Sequence, residues 1–246
     1  MLTGLITGLL APGATAPVVA PPVLRTWPHD VTSYTEGLVW DRGRLFESAG
    51  LYGHSDVREV QPGTGRVLHR HRLAARFFGE GLTTVGARLV QLTWREHRGM
   101  VWTKDGLRRV GTFRFTGEGW GLARMGDRLV MSDGTAMLRF LNPTTFRVTR
   151  RLAVSDGGRP VPMLNELEVI RGEVWANVYQ TNDVVIINPD TGRVRLRLDL
   201  TGLWRWVPAG TAVDVLNGIA WDRAHDRVLL TGKLWPRVFE VSSRPG

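Results

Sequence analysis

A short element recurs five times along this 246-residue chain, and that recurrence limits the folds open to it. It is a Gly-Leu-like pair behind a polar or aromatic residue: Glu36-Gly37-Leu38, Glu80-Gly81-Leu82, Trp120-Gly121-Leu122, Asn165-Glu166-Leu167 and Asn217-Gly218-Ile219, at intervals of 44, 40, 45 and 52 residues. Eight residues after each of the first four leading members comes a second apolar element: Arg44-Leu45-Phe46, Arg88-Leu89-Val90, Arg128-Leu129-Val130 and Glu173-Val174-Trp175. The fifth, Arg227-Val228-Leu229, comes ten residues after, across the longer turn at 222–226. Hairpin turns follow at Pro62-Gly63-Thr64-Gly65, Asn142-Pro143-Thr144 and Asn188-Pro189-Asp190-Thr191-Gly192, with Lys104-Asp105-Gly106 as a weaker version. Strands and turns repeating at this period are the signature of propeller blades. The expectation is an all-β, five-bladed β-propeller occupying 23–246 as one domain, since no linker interrupts the repeat. After Asn217 the chain is about one strand short of a blade, and the orphan strand at 23–27 is expected to complete the last blade, closing the ring and covering its open edges.

The first 22 residues carry no charged side chain, and residues 2–10 are apolar. Small residues and prolines follow, so the segment reads as an apolar leader with a signal-peptide-like cleavage region, though without a basic start. Export to a periplasmic or secreted location is therefore expected, with the cytoplasm as the alternative. No run of about 18 uncharged residues occurs later, so no membrane span is expected. The net charge is +9, and all but Lys104 and Lys233 of the 32 basic residues are Arg. These are scattered without a long basic run, which reads as a solvated surface rather than a nucleic-acid face. With no cysteine, disulfide and thiol chemistry are excluded.

A residue at one place in every repeat becomes one member of a ring around a propeller's axis. The leading column puts Glu36, Glu80, Trp120, Asn165 and Asn217 in such a ring. A second column, six residues along from the start of the second element, holds Gly50, Trp94, Gly134, Tyr179 and Lys233. Together they supply two carboxylates, two carboxamides, three large aromatics and one ammonium, the inventory of an enclosed pocket with convergent polar groups. A satisfied structural ring is the alternative reading of the same residues. No nucleophile elbow, phosphate loop or His-Glu-x-x-His motif occurs. The six histidines share no repeat position and read as loop and surface residues. No metal site is expected, since oxygen-ligated cations want more carboxylates than this ring offers.

At these residues the chain resembles the glutaminyl-peptide cyclotransferases of the plant and bacterial type, a family of five-bladed propellers. The matching segments include Pro28-His29-Asp30, Tyr34-Thr35-Glu36-Gly37-Leu38, Phe78-Gly79-Glu80-Gly81, Gln91-Leu92-Thr93-Trp94 and Glu118-Gly119-Trp120-Gly121-Leu122. They continue through Leu164-Asn165-Glu166-Leu167-Glu168, Val215-Leu216-Asn217-Gly218-Ile219 and Thr231-Gly232-Lys233. The resemblance implies conversion of an N-terminal glutamine of peptides or proteins to pyroglutamate with release of ammonia. It implies Glu80 as catalytic acid, places Trp94, Trp120, Asn165 and Lys233 in the substrate pocket, and sets Asn217 beside them. Glu36 stands where a Gln is usual, Tyr179 where a Trp is usual, and Tyr34 where a Phe is usual.

That chemistry asks little of a protein, because nucleophile and carboxamide belong to one residue and the pocket has mainly to fold it onto itself. Trp94, Trp120 and Tyr179 can supply the walls and tolerate a cationic amine on their faces. One carboxyl can take a proton from the amine and give one to the departing ammonia if its pKa lies near working pH. Burial and the like charge of Glu36 would raise that of Glu80, against Lys233. Lys233, read as catalytic with Glu80, and the two Asn carboxamides are expected to stabilise the oxyanion. No cofactor is required on this reading, a structural cation in the channel is left open, and a monomeric state is a further expectation. The rivals are a non-catalytic propeller that binds a peptide N-terminus or small ligand, and a metal-dependent hydrolase.

Overall fold

The computed structural model describes residues 13–245. Five antiparallel meanders, each with its first strand innermost, follow one another along the described residues, with a small hairpin of Ser155–Asp156 and Arg159–Pro160 between the third and the fourth. Blade one is Thr35–Asp41, Arg44–Ala49, Asp56–Val60 and Val67–Arg72. Blade two is Gly79–Val85, Arg88–Thr93, Arg98–Thr103 and Arg109–Arg114. Blade three is Leu122–Met125, Arg128–Met131, Met137–Leu141 and Val148–Ala153. Blade four is Leu164–Ile170, Glu173–Val178, Asp183–Ile187 and Val194–Asp199. The last blade has Leu216–Asp222, Arg227–Gly232 and Arg237–Ser242 from the C-terminal end, and Val23–Pro28 as its outermost strand. The expected closure by the N-terminal strand is thus present, in antiparallel register from Val23 opposite Val241 to Pro28 opposite Arg237. The Trp27 indole N–H bonds Glu240, which also receives Arg227 at 3.0 Å.

A blade sandwiched between two others buries both faces of its inner strands, so those strands read as continuous apolar runs rather than alternations. Val184, Val185, Ile186 and Ile187 are all buried, whereas the outermost strand Val67–Arg72 is almost wholly exposed. One apolar cluster fills each interface between neighbours. Phe46 and Val57 meet Leu82, Leu89 and Trp102 between blades one and two. Leu92 meets Leu129 and Leu141 between two and three, and Phe140 meets Leu167 and Ile187 between three and four. Trp175 and Ile186 meet Leu230 and Phe239 between four and five, and Leu229 and Val238 meet Trp27 and Leu45 across the closure. The expected hairpin turns join third to fourth strands. In two of them the Asn side-chain oxygen accepts backbone N–H groups, Asn142 from Thr144 and Thr145 and Asn188 from Asp190 and Thr191, all at 2.9–3.0 Å.

Packing begins before the boundary expected at Val23. Val18–Val19 adds a fifth strand to blade four, parallel to Arg197 and Leu198, and Ala16 is buried with its N–H on Asp156 at 2.7 Å. The apolar run expected to form the core of a leader, residues 2–10, lies outside the described residues. Among the described residues no helix is long and apolar enough to cross a membrane.

The histidine expectation needs one correction. His29 is buried, with Nδ1 2.7 Å from the Trp235 carbonyl and Nε2 3.0 Å from Glu47 Oε1. Both ring nitrogens face acceptors, so it is held as an imidazolium; burial opposes this charge, and Glu47 overcomes it to raise the pKa. Glu47, which burial alone would raise, is brought down to about 2 by His29, with help from Arg58 and Ser33. The pair ties the closing strand to blade one. No repeat spacing announces it, because it belongs to the closure.

Candidate active site

Glu36, Glu80, Asn165 and Asn217 are each the second residue of an innermost strand. At each of these places the pairing with the second strand slips: between Thr35 and Gly37, Gly79 and Leu82, Leu164 and Leu167, and Leu216 and Ile219. A β-bulge takes a residue out of the ladder and re-aims its side chain. The repeated bulge is what turns this column toward the axis. Trp120 reaches the same level from the residues just before the innermost strand of blade three. The inner strands can approach this closely because small residues follow. A Cβ on Gly121 would lie 2.0 Å from the Asn165 carbonyl oxygen.

The second column follows the ends of second strands and rims the pocket. Its members form a closed belt of contacts with their neighbours. The Trp94 ring lies 5.5 Å from Phe78, and Phe78 lies 6.3 Å from Tyr34. The Lys233 ammonium sits 4.6 Å from the Tyr34 ring centre and 5.3 Å from that of Tyr179. Tyr179 meets Trp120 edge-on at 5.5 Å. Glu118 completes the circuit by accepting both the Trp120 and the Trp94 indole N–H. The column's glycines make room for this belt: a Cβ on Gly50 would lie 2.4 Å from the Phe78 ring.

Inside the belt, Lys233 Nζ donates to Glu36 Oε1 at 2.5 Å, and the Asn217 amide donates to Glu36 Oε2 at 3.3 Å and to the Thr35 carbonyl at 2.9 Å. Glu36, Glu80, Asn217, Asn165 and Lys233 are all buried. Burial raises the Glu36 carboxyl to about 7 even against Lys233. Glu80 has no such ion pair, and burial, the Glu36 charge and a hydrogen bond to Glu36 push it well above the ordinary carboxylate range, with Lys233 opposing. Burial works against the Lys233 charge, but the two carboxylates outweigh it and raise its pKa. Near neutral pH Glu80 therefore keeps its proton, while Glu36, paired with Lys233, titrates in the same range. Three buried acceptors here have no partner among the described residues: Glu80 Oε2, Asn165 Oδ1 and Asn217 Oδ1. Buried acceptors are rarely left so, and a pocket lined with them suits a ligand that brings N–H groups.

The blade-four member of the small-residue column is Glu166, fully buried where the other blades have glycine. Its carboxyl accepts the Ile219 N–H of blade five at 2.8 Å and the Leu38 N–H of blade one at 3.2 Å. It thereby spans the channel below the pocket.

The family model described as glutamine cyclotransferase matches residues 2–243. A curated glutaminyl-peptide cyclotransferase of Arabidopsis thaliana is 41% identical over 223 residues, covering 89% of this chain and 70% of the relative. The chain belongs to the glutamine cyclotransferase family. Among solved structures, the glutaminyl cyclase of Myxococcus xanthus superposes with a TM-score of 0.84 at 37% identity, covering 92% of this chain and 97% of that one. The WD40 propeller domain of Doa1, at 9% identity and a TM-score of 0.52 over 84% and 63% of the two chains, shares the propeller architecture alone.

Measured against the residues expected for a glutamine cyclotransferase, the structure brings Glu36, Glu80, Asn217 and Lys233 into one buried cluster and Trp94, Trp120 and Tyr179 into one belt. Asn165 joins them by its ring position and its free acceptor. The oxyanion role expected of both carboxamides needs correcting for Asn217, whose amide N–H groups are committed to Thr35 and Glu36, which leaves only its oxygen without a partner among the described residues. Four participants were absent from the expected site. Tyr34, Phe78 and Glu118 lie within two residues of column members. Asp214 accepts the Tyr34 hydroxyl at 2.7 Å, and its N–H donates to the Lys233 carbonyl. It lies in the longest stretch between leading residues, where no repeat position marks it.

Proposed function

We propose that this chain closes the N-terminal glutamine of peptides or proteins to pyroglutamate and releases ammonia, with the Glu80 carboxyl moving the protons. The observation that carries this reading is the trio of buried acceptors without a partner among the described residues, one of them on the Glu80 carboxyl of raised pKa, inside an aromatic belt. An N-terminal glutamine matches it, because its amine and its carboxamide nitrogen are both N–H donors. The belt holds the side chain folded so that the amine meets its own Cδ, which removes most of the entropic barrier to ring closure.

A substrate ammonium beside ionised Glu80 and a substrate amine beside protonated Glu80 are the same state with the proton moved. The second form has the free lone pair. The amine nitrogen attacks Cδ, the carbonyl electrons move to oxygen, and the oxyanion faces Lys233 and the Asn165 amide N–H groups. Glu80 then gives its proton to the carboxamide nitrogen as the Cδ–N bond breaks, and takes one from the ring nitrogen. Ammonia leaves with Glu80 protonated again. One carboxyl thus serves as acid and base in turn.

The scheme uses no cofactor. The Lys233 ammonium, paired with Glu36, is read as the cation of the channel, and the enzyme is read as a monomer with no nucleic-acid partner. Export remains part of the proposal, and N-terminal sequencing of the natural protein tests it. Activity is tested with short peptides led by Gln, by Asn and by acetylated Gln. Loss of the mass of ammonia from the first alone, undiminished by a chelator, supports the reading. Saturable binding without ammonia would favour a binding propeller, and abolition by chelator would favour metal chemistry.

A further inference from the structure

We infer that Glu118 is a positioning residue that sets the facing of both tryptophan walls of the pocket, an inference that rests on the function proposed above. A single oxygen, Oε2, accepts the indole N–H of Trp94 at 2.8 Å and that of Trp120 at 2.9 Å. The two rings come from different blades, and the backbone bond between their segments, Gly119 N–H to the Trp94 carbonyl, does not by itself set how either indole turns. The other oxygen, Oε1, receives Arg95 Nε at 3.0 Å, and the Arg95 guanidinium lies 3.8 Å from the centre of the Trp94 ring. Trp94 is thereby tied at its N–H and capped on a face by the same ion pair.

The carboxylate is itself held in place. Buried Arg139 donates to the backbone carbonyls of Thr116 at 2.6 Å and Glu118 at 2.9 Å, and the Gly119 N–H donates to the Trp94 carbonyl at 2.9 Å. The Glu118 side chain is only 35% exposed. Burial alone would raise its pKa, yet the two indoles and Arg95 lower it, so it stays ionised across the working range. An indole swings about two side-chain bonds, and a tie at its N–H leaves it little freedom to turn. Walls fixed before substrate arrives spare binding the cost of ordering them. Glu118 also adds negative charge near Glu80, in the direction that raises the Glu80 pKa.

The test measures Glu118→Ala and Glu118→Gln by steady-state kinetics on a Gln-led peptide, by near-UV circular dichroism and by thermal melting. The account expects Glu118→Ala to raise KM about tenfold, with kcat changed by no more than about threefold, from the loss of two ties. Its near-UV spectrum should change as the indoles loosen. Glu118→Gln should recover most of the KM, since a carboxamide oxygen can still accept both N–H groups. If Glu118→Ala does not fold, Trp94→Phe, which deletes one N–H and keeps the carboxylate, should raise KM in the same sense. An unchanged KM and spectrum in Glu118→Ala, or a Gln variant as impaired as the Ala variant, would overturn the inference. A wild-type enzyme without turnover would sink the cyclotransferase reading instead, and the spectra would still decide whether Glu118 orders the indoles.

Discussion

Two buried carboxyls and one buried ammonium share the mouth of the channel, and the charge on each depends on the others. Lys233 is 2.5 Å from Glu36 and makes no hydrogen bond to Glu80, which divides the labour between two acids of the same ring. Glu36 neutralises the ammonium, and Glu80 keeps a movable proton. Replacing Glu36 by Gln removes the like charge that helps raise Glu80 and frees Lys233 to oppose that rise. Glu80 then loses its proton at lower pH, so the alkaline limb of the kcat/KM profile, which that loss sets, should move to lower pH. An unmoved limb would mean that the two acids are not coupled. Glu36, Glu80, Asn165 and Asn217 were legible in the sequence because the fold repeats and a column of a repeat is a ring. Asp214 and Glu118 were not, because their places are set by loops and by contacts between blades, and these do not repeat.

The element that shapes the site is the bulge at the start of four of the five inner strands. All four occur in register, and each turns one side chain inward while a small residue behind it lets the strands converge. Glu166 is the exception that closes the channel. Glu166→Ala leaves the Leu38 and Ile219 N–H groups buried without acceptors, and should destabilise the fold by about 2–4 kcal/mol, read in denaturant melts. A change under about 0.5 kcal/mol would show that the spanning contact is energetically idle. Strand order and turns could be read from spacing alone, down to the Asn that caps the hairpins of blades three and four. The bulges could not, since a one-residue slip leaves no compositional trace. Nor could Val18–Val19, whose parallel partner lies on Val194–Asp199, far along the chain, and whose small apolar neighbours look like a leader.

Across the whole molecule, buried acids of opposite behaviour set how stability varies with pH. Glu47 is depressed to about 2, so its contribution is complete above its ordinary value of 4.5 and is lost as pH falls toward 2. Glu36, raised to about 7, and Glu168, raised by burial to about 8, bind protons more tightly folded than unfolded. Their contribution is complete below 4.5 and is lost as pH rises through 7 and 8. The raised pKa of His29 acts in the same direction above 6.5. The melting temperature should therefore peak near pH ~5 and fall by several degrees by pH ~8, and Glu168→Gln should flatten that alkaline fall. A melting temperature constant over this range would show that these acids do not carry their burial into stability. Ring closure by Val23–Pro28 was legible because a propeller with a blade one strand short must take that strand from the other terminus; the buried His29–Glu47 pair that ties the closure down was not. The most direct test of the account is the turnover of Glu80→Gln on a Gln-led peptide, measured beside its peptide affinity and its melting temperature. The account predicts a rate lower by about 10²–10⁴-fold, with binding and fold retained. Cyclisation at near the wild-type rate by a folded Glu80→Gln enzyme would contradict it.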